Sequence, residues 1–151
     1  MELNGETLRF IREHCKDDVR SLALQAPKYP GVDMSVALTQ IAGRQAAAEK
    51  IPSWHEEEGV LYPRHLSLEQ CSSEATARYK ASIIPESSSG TLTDLTGGFG
   101  IDCAFLSPKF HHVTYVERQE VLCEIASHNF PLLGLNHIQI ENKDGIRHLQ
   151  E

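Results

Sequence analysis

Apolar positions change their spacing near residue 90, and two kinds of element follow from that change. Before it, they recur at helical intervals. Leu8, Ile11 and, more loosely, Cys15 form one stripe, and Val19, Leu22, Ala23 and Ala26 form another. Pro27 and the Pro30-Gly31 pair break the chain. Asp33 then caps a predicted helix over 34–50 that carries Val36, Ala37, Ile41, Ala47 and Ala48. Residues 52–59 read as a short capped turn with a solvated face at Glu56, Glu57 and Glu58. Ser72-Ser73-Glu74 starts a helix over 74–84, with Ala77, Ala81 and Ile84 on its packing side. A polar joint, Pro85-Glu-Ser-Ser-Ser-Gly90, follows. Beyond it, 91–95, 112–116 and 138–140 read as short strands. Between them lie helices at 101–106 and 120–130, the second with Val121, Leu122, Ile125, Ala126 and Phe130 inward and closed by Pro131 and Gly134. The expected fold is α/β: a helical lobe over 1–85, then about three parallel strands over 86–151.

The stretch 91–102 organises the rest. It runs as a strand, turns on Gly97, Gly98 and Gly100, and opens into the amphipathic run Ile101-Asp102-Cys103-Ala104-Phe105-Leu106. Glycines there leave room for a ligand to approach the backbone and permit positive φ. A strand turning into a helix also gathers N–H groups at one point. The dinucleotide fingerprint Gly-x-Gly-x-x-Gly is not matched, because its third glycine would fall at Cys103 or Ala104. Acids recur at the other strand ends. Glu117 ends the second strand, twenty residues after Gly97, and Asp144 follows the third. Parallel strands put their C-termini on one edge, where open α/β sheets bind ligands. Asp94, Glu117 and Asp144 are thus expected to line one crevice beside the turn: each alone reads more readily as a solvated loop residue, but three at successive strand ends do not.

On those residues the chain resembles class I S-adenosylmethionine-dependent methyltransferases. The run Asp94-Leu-Thr-Gly-Gly-Phe-Gly-Ile-Asp102 with Val116-Glu117-Arg118 is similar to bacterial rRNA guanine-N2 methyltransferases. The phrase beginning Tyr62-Pro and ending Tyr79-Lys80 resembles bacterial methyltransferases with a THUMP-like domain. The resemblance covers roughly 60–145. It implies a Rossmann-like sheet and S-adenosyl-L-methionine as cofactor. The cofactor would be held by Asp94, Thr96, Gly97, Gly98, Gly100, Asp102, Glu117, Arg118 and Asp144. Gly97, Gly98 and Gly100 would approach its methionine part, with Asp102 touching it near the turn. Glu117 would bind the ribose hydroxyls, and Asp144 would reach the adenine amino group. Arg78 and Lys80 flank Tyr79 and read either as a solvated face or as groups facing an anion. The resemblance favours a helix covering the crevice.

Bulk properties narrow the partners. The chain of 151 residues is long enough for one domain with a real core. A net charge of −7 argues against these residues alone holding a nucleic-acid backbone. No apolar run approaches the ~20 residues of a membrane span, and no signal peptide is evident. Cys15, Cys71, Cys103 and Cys123 are scattered and read as reduced thiols of a cytoplasmic protein. His111-His112 lacks a third ligand, so no metal site is expected. The family's fourth strand carries an Asn-Pro or Asp-Pro motif against the acceptor base, and neither dipeptide occurs here. The sequence therefore reads as the cofactor-binding N-terminal part of a longer RNA methyltransferase, inactive alone, with its catalytic residues beyond residue 151. Strand 91–95 would then expose an edge that pairs with another chain or lies under a helix. Two other classes stay open: a different nucleotide-binding α/β enzyme, and a non-catalytic interaction module.

Overall fold

In a computed structural model that describes residues 3–86 and 90–151, the predicted helices and strands come in the expected order, with a short helix where a turn was expected at 52–56 and two further short helices at 65–70 and 145–150. Six helices come first: α1 (Gly5–Glu13), α2 (Val19–Leu24), α3 (Met34–Lys50), α4 (Pro52–Glu56), α5 (His65–Gln70) and α6 (Glu74–Ser82). The second part runs β1 (Thr91–Asp94), α7 (Ile101–Leu106), β2 (His112–Glu117), α8 (Glu120–Leu132), β3 (Ile138–Asn142) and α9 (Gly145–Gln150). The three strands form one parallel sheet in the order β1-β2-β3. This is the expected α/β architecture, a helical region followed by a three-stranded parallel sheet. Among the described residues β1 is hydrogen-bonded on one side only, to β2.

Helix starts are fixed by side chains. Asn4 Oδ1 accepts from the Thr7 N–H at 2.8 Å, Asp18 from Ser21, Asp33 from Val36, and Ser73 from Thr76. α1 departs from its predicted stripe. It buries Thr7 and Phe10, while Leu8 is 40% exposed. The Thr7 hydroxyl accepts from the Asp33 N–H at 3.0 Å, so this face is chosen by the link to the start of α3. Pro131 lies inside the last turn of α8 rather than ending it. A proline that close to the C-terminus breaks the helix little, and Gly134, at φ 75°, makes the actual exit.

Two apolar clusters hold the molecule. The smaller joins Phe10, Leu22, Ala37 and Ile41. The larger runs from Ala47, Trp54 and Tyr62 to Phe99, Tyr115 and Phe130. The joint expected at 85–90 falls partly on residues 87–89, outside the described residues. Around it, Phe99 packs on Trp54 at 5.1 Å and on Tyr62 at 6.0 Å between ring centroids, so one core serves the helices and the sheet. The extended segment 60–62 enters that core without a strand partner. Gln40 exchanges two hydrogen bonds with the Tyr62 backbone, and Asn129 does the same with Leu61. Each amide thereby satisfies buried backbone groups that a ladder would otherwise serve. No helix among the described residues is long and apolar enough to cross a membrane.

Candidate functional site

The glycine turn after β1 needs its glycines for close packing and for positive φ. A Cβ at Gly97 would overlap the ring of Tyr115, and the Gly97 N–H donates to Val116 O at 2.9 Å. Gly98 and Gly100 adopt φ of 55° and 89°, and a Cβ at Gly100 would also sit 2.9 Å from the Phe130 ring. The Tyr115 hydroxyl donates to Gly98 O, clamping the turn to β2.

Two acids meet at this turn. The buried Glu117 carboxylate accepts from the Gly98 N–H and the Gln119 N–H, both at 2.9 Å. Asp94, half-buried, accepts from the Thr96 N–H at 3.1 Å. Burial pushes the Asp94 carboxyl above its ordinary 3.8, and the negative charges of Asp102 and Glu117 add to the rise. Asp102, in the first turn of α7, accepts through Oδ2 from Ser72 Oγ and Lys80 Nζ, each at 2.9 Å. Its other oxygen, Oδ1, is buried without a hydrogen-bond partner.

These groups enclose a cavity of about 340 Å³ at the C-terminal strand edge. Of the residues singled out from sequence, Asp94, Thr96, Gly97, Gly98, Gly100, Asp102 and Glu117 line it. Arg118 and Asp144 do not line it. Arg118 is exposed, and only its backbone carbonyl is engaged, by Asn142. Asp144 lies at the correct edge, since its neighbour Gly145 packs against Leu95. Its carboxylate, however, caps α9 through the N–H groups of Ile146 and Arg147.

Several wall residues were not singled out from sequence. Ser67, Gln70, Cys71 and Ser72 come from α5 and the link to α6, and Gln119 and Leu122 from the start of α8. The Ser72-Ser73 start signal was legible, but not that Ser72 would face the sheet. Of the two cations on α6, only Lys80 bonds to residues of the cavity wall, Asp102 and Ser72. Arg78 pairs with Glu74 at 2.7 Å and lies over the Phe105 ring. No group of His, Cys, Asp and Glu among the described residues could hold a metal. Burial pushes the Cys71 thiol up, and that of Cys103 to about 12, so both are poor nucleophiles.

A larger cavity of about 440 Å³ lies away from the turn, between α1, α3 and segment 58–62. Its lining mixes aliphatic groups such as Leu8, Ile11 and Val60 with Arg12, Arg44 and His128, and a single acid, Glu58, is among the lining residues. The smaller cavity is the better candidate, because small-molecule sites are marked by a few aimed polar groups and perturbed acids.

Three carboxylates wall it, and the pairing of Lys80 offsets one of them. The Gly98 N–H, which a phosphate would need, is already held by Glu117. The unpartnered Asp102 oxygen wants a donor. The donor set thus fits a ligand that carries positive charge and hydroxyl groups.

No protein-family model matches the chain, and no curated protein matches it. The chain is similar to a crystal structure described as "putative methyltransferase from Porphyromonas gingivalis W83". The identity is 28% and the TM-score 0.74, over 99% of this chain and 38% of that one. This chain therefore spans well under half the length of that protein. The likeness supports a methyltransferase fold.

Proposed function

We propose that the chain is the methyl-donor-binding portion of an S-adenosylmethionine-dependent methyltransferase whose acceptor is RNA, in particular guanine N2 of rRNA. The observation that carries the donor assignment is the acid-walled cavity whose glycine-turn N–H is held by Glu117. A sulfonium and an ammonium suit such walls, and a pyrophosphate does not. The ring-crowded Gly97 and the positive-φ Gly98 and Gly100 form the floor under the ligand. Glu117 keeps acceptor capacity beyond its two backbone donors, enough for ribose hydroxyls. Asp94 and Asp102 face the positive end. Arg118 and Asp144 remain proposed contacts that would need side-chain movement to touch the ligand.

Bound there, S-adenosylmethionine would supply an electrophilic methyl carbon with a good leaving group, so no nucleophilic side chain is required. What these residues contribute is position and exclusion of water, and alignment of this kind is worth several kcal/mol. The RNA part of the reading rests on the motifs at 62–80 and 94–118, not on the surface, since the net charge is −7. The open side of β1 is proposed as the place where a further strand pairs, from this protein or another chain.

Titration calorimetry with S-adenosylhomocysteine against NAD tests the donor assignment. Binding of the first and not the second is expected. Tighter binding of NAD would favour a dehydrogenase-like enzyme, and absence of both would favour an interaction module. For the acceptor, the full-length protein should transfer labelled methyl to rRNA, and labelling of protein or small amines instead would overturn the RNA reading.

A further inference from the structure

The stripe Leu8, Ile11 and Cys15, which the sequence marks as a packing face, lines the larger cavity of about 440 Å³ between α1, α3 and segment 58–62. That volume lies within the roughly 300–1,000 Å³ of small-ligand pockets. No residue is shared with the cavity at the glycine turn. Most polar groups of the wall are already engaged. The Gln40 amide closes on the Tyr62 backbone and the Leu61 backbone on Asn129, while the Gly59 carbonyl meets His128 Nε2 at 2.8 Å.

What remains on offer is positive charge. Of the half-buried lysines and arginines among the described residues, Lys50 bonds to the Leu68 and Glu69 carbonyls, Lys80 to Asp102, Lys109 to Glu86 and Lys143 to Glu141. Arg44 is the exception. Its guanidinium has no hydrogen bond or ion pair among the described residues. The chain has 21 acids for 14 lysines and arginines, so anions are not scarce. Arg12, at the end of α1, lies on the same wall, and the single acid there, Glu58, is exposed.

We propose that this cavity is a second ligand site, for a small apolar carboxylic acid in its ionised form. The carboxylate takes charge-assisted hydrogen bonds from Arg44 and Arg12, and the aliphatic or aromatic body lies against Leu8, Ile11 and Val60. A nucleoside or sugar fits poorly, because its hydroxyls would be buried where the wall has few partners left. The same argument sets aside a nucleotide of RNA, whose backbone the net charge of −7 also opposes. Were Arg44 only resting its stem on apolar surface with its head in water, the cavity would take apolar bodies without regard to their charge.

The test is titration calorimetry at neutral pH with three probes that share one chain and differ in the head: octanoate, 1-octanol and octylammonium. The unaltered protein should bind octanoate roughly tenfold or more tighter than either of the others, the effect of one charge-assisted hydrogen bond. Arg44→Met should weaken octanoate by about that factor and leave 1-octanol within about twofold. Arg44→Lys, which keeps the charge, should retain most of the preference. Leu8→Asp, at a position 40% exposed, is the check should Arg44→Met unfold, and a carboxylate placed in the wall there should remove the preference for octanoate. Equal affinity for the three heads, a preference that survives Arg44→Met, or no binding of any probe would overturn the proposal. So would binding of a single-stranded oligoribonucleotide that Arg44→Met abolishes while octanoate does not bind. None of these outcomes bears on the methyl-donor reading, since the two cavities share no residue.

Discussion

Gly43 in the helical lobe and Gly97 at the strand tip solve the same packing problem with different consequences. A Cβ at either would overlap a buried tyrosine, Tyr62 in the first case and Tyr115 in the second. Around Gly43 the buried amide is paired: Gln40 closes on the Tyr62 backbone, and helix α3 passes without a break. Around Gly97 the close approach sits beside three acids, Asp94, Asp102 and Glu117, that line a cavity. Close packing alone marks a core. Close packing next to incompletely paired acids marks a site.

Alanine at each position separates the two roles and gives the largest expected effects. Gly43→Ala and Gly97→Ala should each lower the unfolding free energy by about 1–3 kcal/mol, the usual cost of forcing volume into a filled core. Thermal melts read this directly. Only Gly97→Ala should also abolish S-adenosylhomocysteine binding, because its tyrosine clamps the Gly98 carbonyl. Loss of binding by both variants while still folded would show that the cavity has no privileged link to Gly97.

Glu117→Ala comes next. It strips the acceptor from the Gly98 and Gln119 N–H groups, and a buried donor left unsatisfied costs about 1–3 kcal/mol. Ligand affinity should fall with it, while the corresponding deletion in the other lobe, Glu74→Ala, should cost stability and spare affinity. Glu74 is held by Ser53 and Arg78 and does not touch the cavity. Unchanged affinity in folded Glu117→Ala would remove the main support for the proposed ligand.

How much of this was legible follows from which signals are local. The three strands and the glycine turn each show in a run of a few residues, the acids Asp94, Asp102 and Glu117 fall at the ends of such runs, and the structure brings those acids to one cavity. Ser72 and Lys80 were harder to read, because their role depends on how α6 lies against α7, a tertiary fact with no sequence period. Leu8 misled for a similar reason. Its stripe is helical, but the Thr7 bond to Asp33 turns the other face inward. Asn129 and Gln40 carry no motif at all, since their partners are backbone groups 68 and 22 residues away.

The same two lobes should respond to acid in opposite directions. Burial raises Asp94, which accepts one backbone N–H and faces two other carboxylates. The folded state therefore binds that proton more tightly than the unfolded chain, and ionised Asp94 costs stability at neutral pH. That cost is relieved as pH falls through its raised value, in a window opening above 3.8. Glu74 is the reverse. Burial acts to raise it, but the Ser53 N–H, the Arg78 side chain and the Ser53 hydroxyl outweigh that and hold it below 4.5. Its contribution is full above 4.5 and is lost as pH falls through the lowered value. Affinity for a cationic ligand should rise with pH through the Asp94 window and then level. Asp94→Asn should flatten that slope and be no less stable at neutral pH. A slope that persists in Asp94→Asn would assign it to another acid.

Asp144 gives the smallest effect and the sharpest choice between two readings. Its carboxylate caps α9, so Asp144→Ala should cost about 1 kcal/mol, the usual value of a lost N-cap. Asp144→Asn keeps the capping oxygen and should cost less. If the side chain leaves the cap to meet an adenine amino group, both variants should also weaken S-adenosylhomocysteine, by several-fold for Asn. If the cap is its whole role, affinity should stay within about twofold in both. Inosine-for-adenosine exchange in the ligand distinguishes the two cases independently. It removes the amino group, so only an adenine-reading Asp144 makes the penalty of that exchange vanish in Asp144→Ala.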